Sequence, residues 1–199
     1  SDDALYVLGD MIDRGPDPVG VIKLVRSLPN ARVLKGNHEQ IMLDAIIGQD
    51  PLDAETWDIN GGWTTRQQLN DMEFEAYEEL VRWMATLPLY AVAETDERPY
   101  LLVHAGIQTE AARAFLLEHG VDCADGAGAV GADRELLQQM LAVQSSDDLL
   151  WIRHGYWDAP TGLLSAEGEG PVVVSGHTPT VSLGRYCEVG GLAGLDEES

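Results

Sequence analysis

Four short, apolar, β-branched runs each break off into a polar loop, and every one of those loops carries groups suited to a cation or a phosphate. Leu5-Tyr-Val-Leu runs into Gly9-Asp10-Met-Ile-Asp13-Arg14-Gly15, and Ala31-Arg-Val-Leu leads to Gly36-Asn37-His38-Glu39. Tyr100-Leu-Leu-Val runs into His104-Ala105-Gly106, and Pro171-Val-Val-Val-Ser into Gly176-His177-Thr178-Pro179. Runs of this length and composition, bounded by turn signals, predict buried strands. Stretches with helical spacing lie between them, so the chain is restricted to an α/β architecture with helices against the sheets. In such folds ligands collect at strand ends, where loops hold the chemistry on a rigid frame.

The remaining pattern fits that frame. Helices are predicted over Pro16–Leu28, where Val19, Val21, Ile22, Leu24 and Val25 recur at near-helical spacing, and over Gln40–Ile47. Further helices are predicted over 73–86, Gln108–Glu118 and Arg134–Gln144, with strands at 89–94, 100–103 and 171–175. Residues 48–72 read as irregular and polar, with Trp57 and Trp63 on either side of Gly61-Gly62. Residues 120–132 read as a loop, and 184–195 as a final strand. No internal repeat or linker is visible, so the expectation is one domain spanning 1–199.

Composition narrows the partners. A chain of 199 residues that is 45% apolar can build a proper core. A formal net charge of −22 argues against nucleic acid, whose phosphate backbone demands cationic contacts. No stretch approaches the length of an apolar membrane span, and the N-terminus shows no basic-then-apolar leader, so the expectation is a cytoplasmic protein without a membrane partner. Cys123 and Cys187, two cysteines in dissimilar contexts, are expected to be free thiols.

The four strand ends together offer a carboxylate from Asp10, an amide oxygen from Asn37 and imidazole nitrogens from His104 and His177. This mixed oxygen and nitrogen set suits manganese, iron or zinc. No cysteine lies among these residues, which argues against a structural zinc site.

Gly9-Asp-Met-Ile-Asp-Arg-Gly15, Gly36-Asn-His-Glu39, Leu101-Leu-Val-His-Ala-Gly106 and Val173-Val-Ser-Gly-His-Thr-Pro-Thr180, in this order, resemble the calcineurin-like metallophosphatases of the phosphoprotein phosphatase family. The bacterial and phage branch, the lambda phosphatase-like enzymes, is the nearest in pattern, and Asn60-Gly61-Gly62 and Leu149-Leu-Trp-Ile-Arg153 resemble stations of that branch. The resemblance runs from residue 5 to about residue 180. It implies a metallophosphatase β-sandwich flanked by helices around a βαβαβ metal-binding core.

By the same resemblance Asp10 bridges two divalent ions, manganese being favoured, and Asn37, His104 and His177 complete the second site. His38 would protonate the leaving oxygen while Asp13 orients its ring. Arg14 and Arg153 would grip phosphate, with His154 and Arg185 as nearby competitors for the second of these roles. The implied reaction is in-line attack on phosphorus by a hydroxide bridging the ions, with no covalent phosphoenzyme.

The family's first motif, Gly-Asp-x-His-Gly, has no counterpart in the chain, so the expectation is that the first metal site keeps Asp10 alone. The expected substrate is a phosphoserine or phosphothreonine protein or peptide. Alternatives are a symmetric diadenosine tetraphosphate hydrolase and a non-catalytic phosphate-binding module. The tetraphosphate hydrolases resembling this chain tend to lack the acid at Asp13 and to carry Asp in place of Glu39, which favours the protein phosphatase reading.

Overall fold

The computed structural model describes residues 3–48 and 50–183. Two small sheets with helices packed against them give the mixed α/β architecture that the strand and helix pattern predicts. In the first sheet β1 (Leu5–Val7) pairs in parallel with β2 (Ala31–Val33), Leu5 opposite Ala31 and Val7 opposite Val33. Their crossover is α1 (Pro18–Ser27). Asp17 starts this helix by accepting the Gly20 N–H, and Pro18 enters without needing a donor. Val19, Ile22 and Val25 form the buried stripe of α1.

In the second sheet β3 (Tyr90–Glu94) runs antiparallel to β4 (Pro99–Val103), which pairs in parallel with β5 (Val172–Val174).

The first sheet continues into α2 (Asn37–Ile47), α3 (Pro51–Ile59), α4 (Trp63–Asn70) and α5 (Phe74–Ala85). The second carries α6 (Thr109–Glu118), α7 (Arg134–Ala142), α8 (Ser146–Trp151) and the short α9 (Thr180–Leu183). Two apolar clusters result. One gathers Ile22, Met42, Trp57, Leu80 and Met84 around β1 and β2. The other gathers Leu101, Val103, Ile107, Leu137 and Leu149 around β3 and β4. Between them runs a seam closed by the backbone. Lys35 N donates across it to the Pro88 carbonyl, whereas Gly176 N, which donates to the carbonyl of His104, extends the β4–β5 pairing within the second sheet.

Residues 48–72, read as irregular, instead form α3 and α4. Asp50 caps α3 by accepting the Leu52 N–H, with Pro51 in the first turn, so the start signal was present but masked by the polar composition. Likewise α8 is capped by Ser145, whose hydroxyl accepts the Asp148 N–H. The 120–132 loop contains a tight 3-10 turn at Ala124–Gly126 and further turns over 127–131. Cys123 is buried and free. Cys187, Arg185 and the expected strand at 184–195 lie outside the described residues. Among the described residues no helix is long and apolar enough to cross a membrane.

The tightest passage in the seam is at Gly9, with φ of 92°, where an added Cβ would stand 2.4 Å from the Gly36 Cα and 2.9 Å from His104 Nδ1. Gly9→Ala therefore combines left-handed strain with a backbone collision. It should destabilise the protein by at least about 1–3 kcal/mol, read as a lower urea midpoint with an unchanged slope. A midpoint within error of the parent would show that the two loops do not meet as closely as described.

Candidate metal centre

Asp10 follows β1, Asn37 opens α2, His104 ends β4, and His177 follows β5. Four points distant in sequence thus meet at the seam. His104 Nε2 lies 2.9 Å from Asn37 Oδ1, 3.1 Å from His177 Nδ1 and 3.5 Å from Asp10 Oδ1. His177 Nδ1 is 3.0 Å from Asn37 Oδ1. Asp10, His104 and His177 form a group whose ligand atoms all lie within 4.8 Å of one another.

Protons are scarce in this cluster. His104 donates its Nδ1–H to the Leu8 carbonyl at 2.6 Å, which leaves a lone pair on Nε2. Asn37 turns its oxygen, an acceptor, toward that lone pair. Burial lowers the His104 pKa below the ordinary imidazole value, against the opposing pull of Asp10. His177 is held down at about 4, by burial first and then by His104 and Arg153. With Nε2 accepting from Arg153, an uncharged His177 carries its proton on Nδ1, facing Asn37 Oδ1 and His104 Nε2, and a cation held here would displace that proton.

The backbone here is held in an uncommon form. Asp10, Asp13, Arg14 and His177 have φ of 55°, 69°, 56° and 62°. Such left-handed non-glycine residues cost about 1–3 kcal/mol each and persist only where neighbours over-determine them. Glu39 supplies part of that constraint. Its fully buried carboxylate accepts Met11 N–H at 2.7 Å, Gly36 N–H at 2.8 Å and Asp10 N–H at 2.9 Å. Burial pushes the Glu39 carboxyl above the usual range, although the three N–H groups oppose the shift.

Next to the cluster, His38 donates its Nδ1–H to Asp13 Oδ2 at 2.6 Å, and both residues are buried. The His38 backbone N–H reaches Asp10 Oδ1 at 3.3 Å. The Asp13 carboxylate has further donors. Trp57 Nε1–H lies 3.1 and 3.2 Å from its two oxygens, and the Thr65 hydroxyl donates to Oδ1 at 2.7 Å. Neither Trp57 nor Thr65 is legible as a site residue in the sequence, because both lie in the stretch read as irregular.

Arg153 Nε donates to His177 Nε2 at 3.1 Å, so Arg153 stands at the cluster. Trp151, partly exposed at the end of α8, meets the His177 ring edge-on with centroids 6.1 Å apart. The exposed Arg14 is anchored to the α3–α4 turn. Its N–H bonds the Gly61 carbonyl at 3.1 Å and its Nε the Asn60 carbonyl at 3.2 Å. His154 instead pairs with the Trp157 ring at 6.0 Å. His119 bonds the carbonyl of Phe115 at 2.8 Å at the end of α6.

A family model described as calcineurin-like phosphoesterase matches residues 1–193, and the chain belongs to that family. The symmetrical bis(5'-nucleosyl)-tetraphosphatase of Erwinia tasmaniensis is 34% identical over 107 residues, covering 53% of this chain and 34% of its own length. The Aeromonas hydrophila protein of the same name is 28% identical over 164 residues, 81% of this chain and 50% of its own length. Serine/threonine-protein phosphatase 1 of Salmonella typhimurium is 45% identical over 65 residues, 32% of this chain and 28% of its own length. The chain thus spans half or less of the length of these curated relatives.

The lowered His177 pKa makes a pH prediction for the metal-free protein. An unfolded imidazole binds its proton near its ordinary value of 6.5, whereas the folded one waits until about 4. The unfolded state therefore binds more protons between those values, and stability is lost as pH falls through that window. His177→Asn should flatten this part of the stability-versus-pH curve, measured by urea midpoints in chelator. Parallel curves for parent and variant would mean that His177 is not held neutral.

Proposed function

We propose that this chain carries the active site of a metal-dependent phosphoester hydrolase, in which Asp10, Asn37, His104 and His177 hold a divalent ion. The single observation behind this reading is the convergence of a carboxylate, an amide oxygen and two imidazoles beside a buried His38–Asp13 pair. The donor set fits: one carboxylate, one amide oxygen and two uncharged imidazoles suit a borderline or hard divalent ion, manganese first. A divalent ion bound there would supply positive charge to polarise a phosphoryl group and acidify water.

The chain's own residues supply the rest. Arg14 and Arg153 bind equatorial phosphoryl oxygens, a guanidinium fork matching two of them at once. His38 keeps its Nδ1–H on Asp13 and delivers a proton from Nε2 to the departing oxygen. Glu39 keeps the Asp10 and Asn37 loops in register.

For the substrate, the breadth of similarity favours symmetric hydrolysis of a dinucleoside tetraphosphate. The Aeromonas hydrophila relative aligns over 81% of the chain, and several relatives bear the same name. This reverses the preference drawn from Asp13 and Glu39 alone. The second reading, phosphoserine or phosphothreonine hydrolysis in proteins, keeps two supports. One is the 45% identity to the Salmonella typhimurium phosphatase over 65 residues. The other is the proton donor itself, since an alkoxide leaving group needs a proton far more than a nucleoside diphosphate does.

Assaying diadenosine tetraphosphate beside a phosphoserine peptide, with and without manganese, separates the readings. Faster turnover of the tetraphosphate to two diphosphates is expected, and chelation should abolish it. Turnover of the peptide alone would transfer the assignment to the second reading. Activity indifferent to chelator would remove the metal.

The role of His38 has its own test. His38→Asn should slow hydrolysis of an alkyl phosphate by about 10²–10⁴-fold, the range that a general acid supplies. A nitrophenyl phosphate, whose leaving group is stable as an anion, should be slowed much less. Equal losses on both esters, together with lost metal, would make His38 a structural residue.

A further inference from the structure

The bonds that α3 and α4 make to the loop after β1 and to the start of α1 are too specific to be packing alone. Thr65 Oγ1 both accepts the Asp13 N–H at 2.9 Å and donates to Asp13 Oδ1 at 2.7 Å. Trp57 Nε1–H spans the two carboxylate oxygens at 3.1 and 3.2 Å. The side chain of Gln68 takes the Val19 N–H at 3.0 Å through Oε1 and gives Nε2–H to the Pro16 carbonyl at 3.1 Å. In the turn between the helices, Gly61 has φ of 95°, and its missing Cβ leaves room for the Arg14 side chain, whose Cγ would stand 2.7 Å away. One segment, α3, its turn and α4, therefore holds both the acceptor of the His38 proton and the arginine that stands next to it in sequence.

A carboxylate has two oxygens and several lone pairs, so a free Asp13 could meet the His38 ring in many ways. Here Thr65 occupies Oδ1, and the indole closes one side of the group. Only Oδ2 remains well placed for the imidazole. Trp57 and Thr65 are buried, so water cannot substitute for them when they are removed.

We propose that Trp57 and Thr65 are positioning residues for the proton donor. They fix the Asp13 carboxylate so that His38 keeps its proton on Nδ1 in one orientation. The α3–turn–α4 segment thereby aligns the acid and the phosphate-gripping Arg14 as one unit. The inference rests on the hydrolytic reading of His38 for its kinetic consequence, but not for its structural one.

The experiment has two arms. In the first, the 15N signals of the His38 ring and the indole N–H of Trp57 are recorded for the parent, Trp57→Phe, Thr65→Val and Thr65→Ser. The parent should show His38 protonated at Nδ1 and a shifted indole proton that returns toward the solvent-exposed value in Asp13→Asn. Trp57→Phe and Thr65→Val should blur the His38 tautomer, and Thr65→Ser, which keeps the hydroxyl, should restore it. An unchanged His38 signature in folded Trp57→Phe and Thr65→Val would overturn the proposal.

In the second arm, the same variants are assayed on an alkyl and a nitrophenyl phosphate with His38→Asn as reference. A selective loss of about 10-fold on the alkyl ester is expected, a part of the general-acid effect. If His38→Asn discriminates between the esters and the two variants do not, the positioning role fails while the proton donor survives. If His38→Asn itself shows no discrimination, the proton-donor reading fails, and the ring signals alone decide the positioning role.

Discussion

The carboxylate of Glu39 is the contact on which the rest of this site depends. Three backbone N–H groups from two separate loops converge on it, in a place that water does not reach. Removing a partner from such a buried group leaves the others unsatisfied, at about 1–3 kcal/mol per group. The bond from the Asp10 N–H to Glu39 is part of what holds Asp10 in its left-handed backbone. Asn37 and His38 face the cluster because Glu39 fixes the first turn of the helix that carries them.

From that anchor the geometry spreads across the seam. One sheet brings Asp10 and Asn37, the other His104 and His177, and the Leu8 carbonyl sets the tautomer of His104 from the opposite side. Each half has its own apolar cluster. Polar chemistry is thus concentrated where the two cores leave off, the usual place for a site that needs both precision and access.

Much of this was legible in the residues. The strand ends at Asp10, Asn37, His104 and His177 announced themselves by an apolar run broken at a turn, and the structure brings all four together. The Asp13–His38 pair follows from two loops that the parallel pairing of β1 and β2 places side by side. Trp57 and Thr65 were not legible, because a single indole and hydroxyl in a polar stretch carry no periodic signal. Their meaning lies in a contact with Asp13 across 44 and 52 residues of chain. The Asp50-Pro51 and Ser145…Asp148 caps were readable helix starts, outweighed by the composition around them. The substrate was least legible. Asp13 and Glu39 pointed to one member of the family, and the similarity over most of the chain favours another.

The seam gives a cation a second consequence, separate from chemistry. Because the proposed ligands come from both sheets, an ion held by them would act as a removable cross-link between two halves that each have their own apolar cluster. Ligand linkage then makes the tightness of the seam a function of free metal concentration, worth about 2.7 kcal/mol when the ion is present at a hundred times its dissociation constant. Metal starvation would loosen the join between the sheets while leaving both apolar clusters intact. The protein would thus register the metal supply around it as a change in its own rigidity.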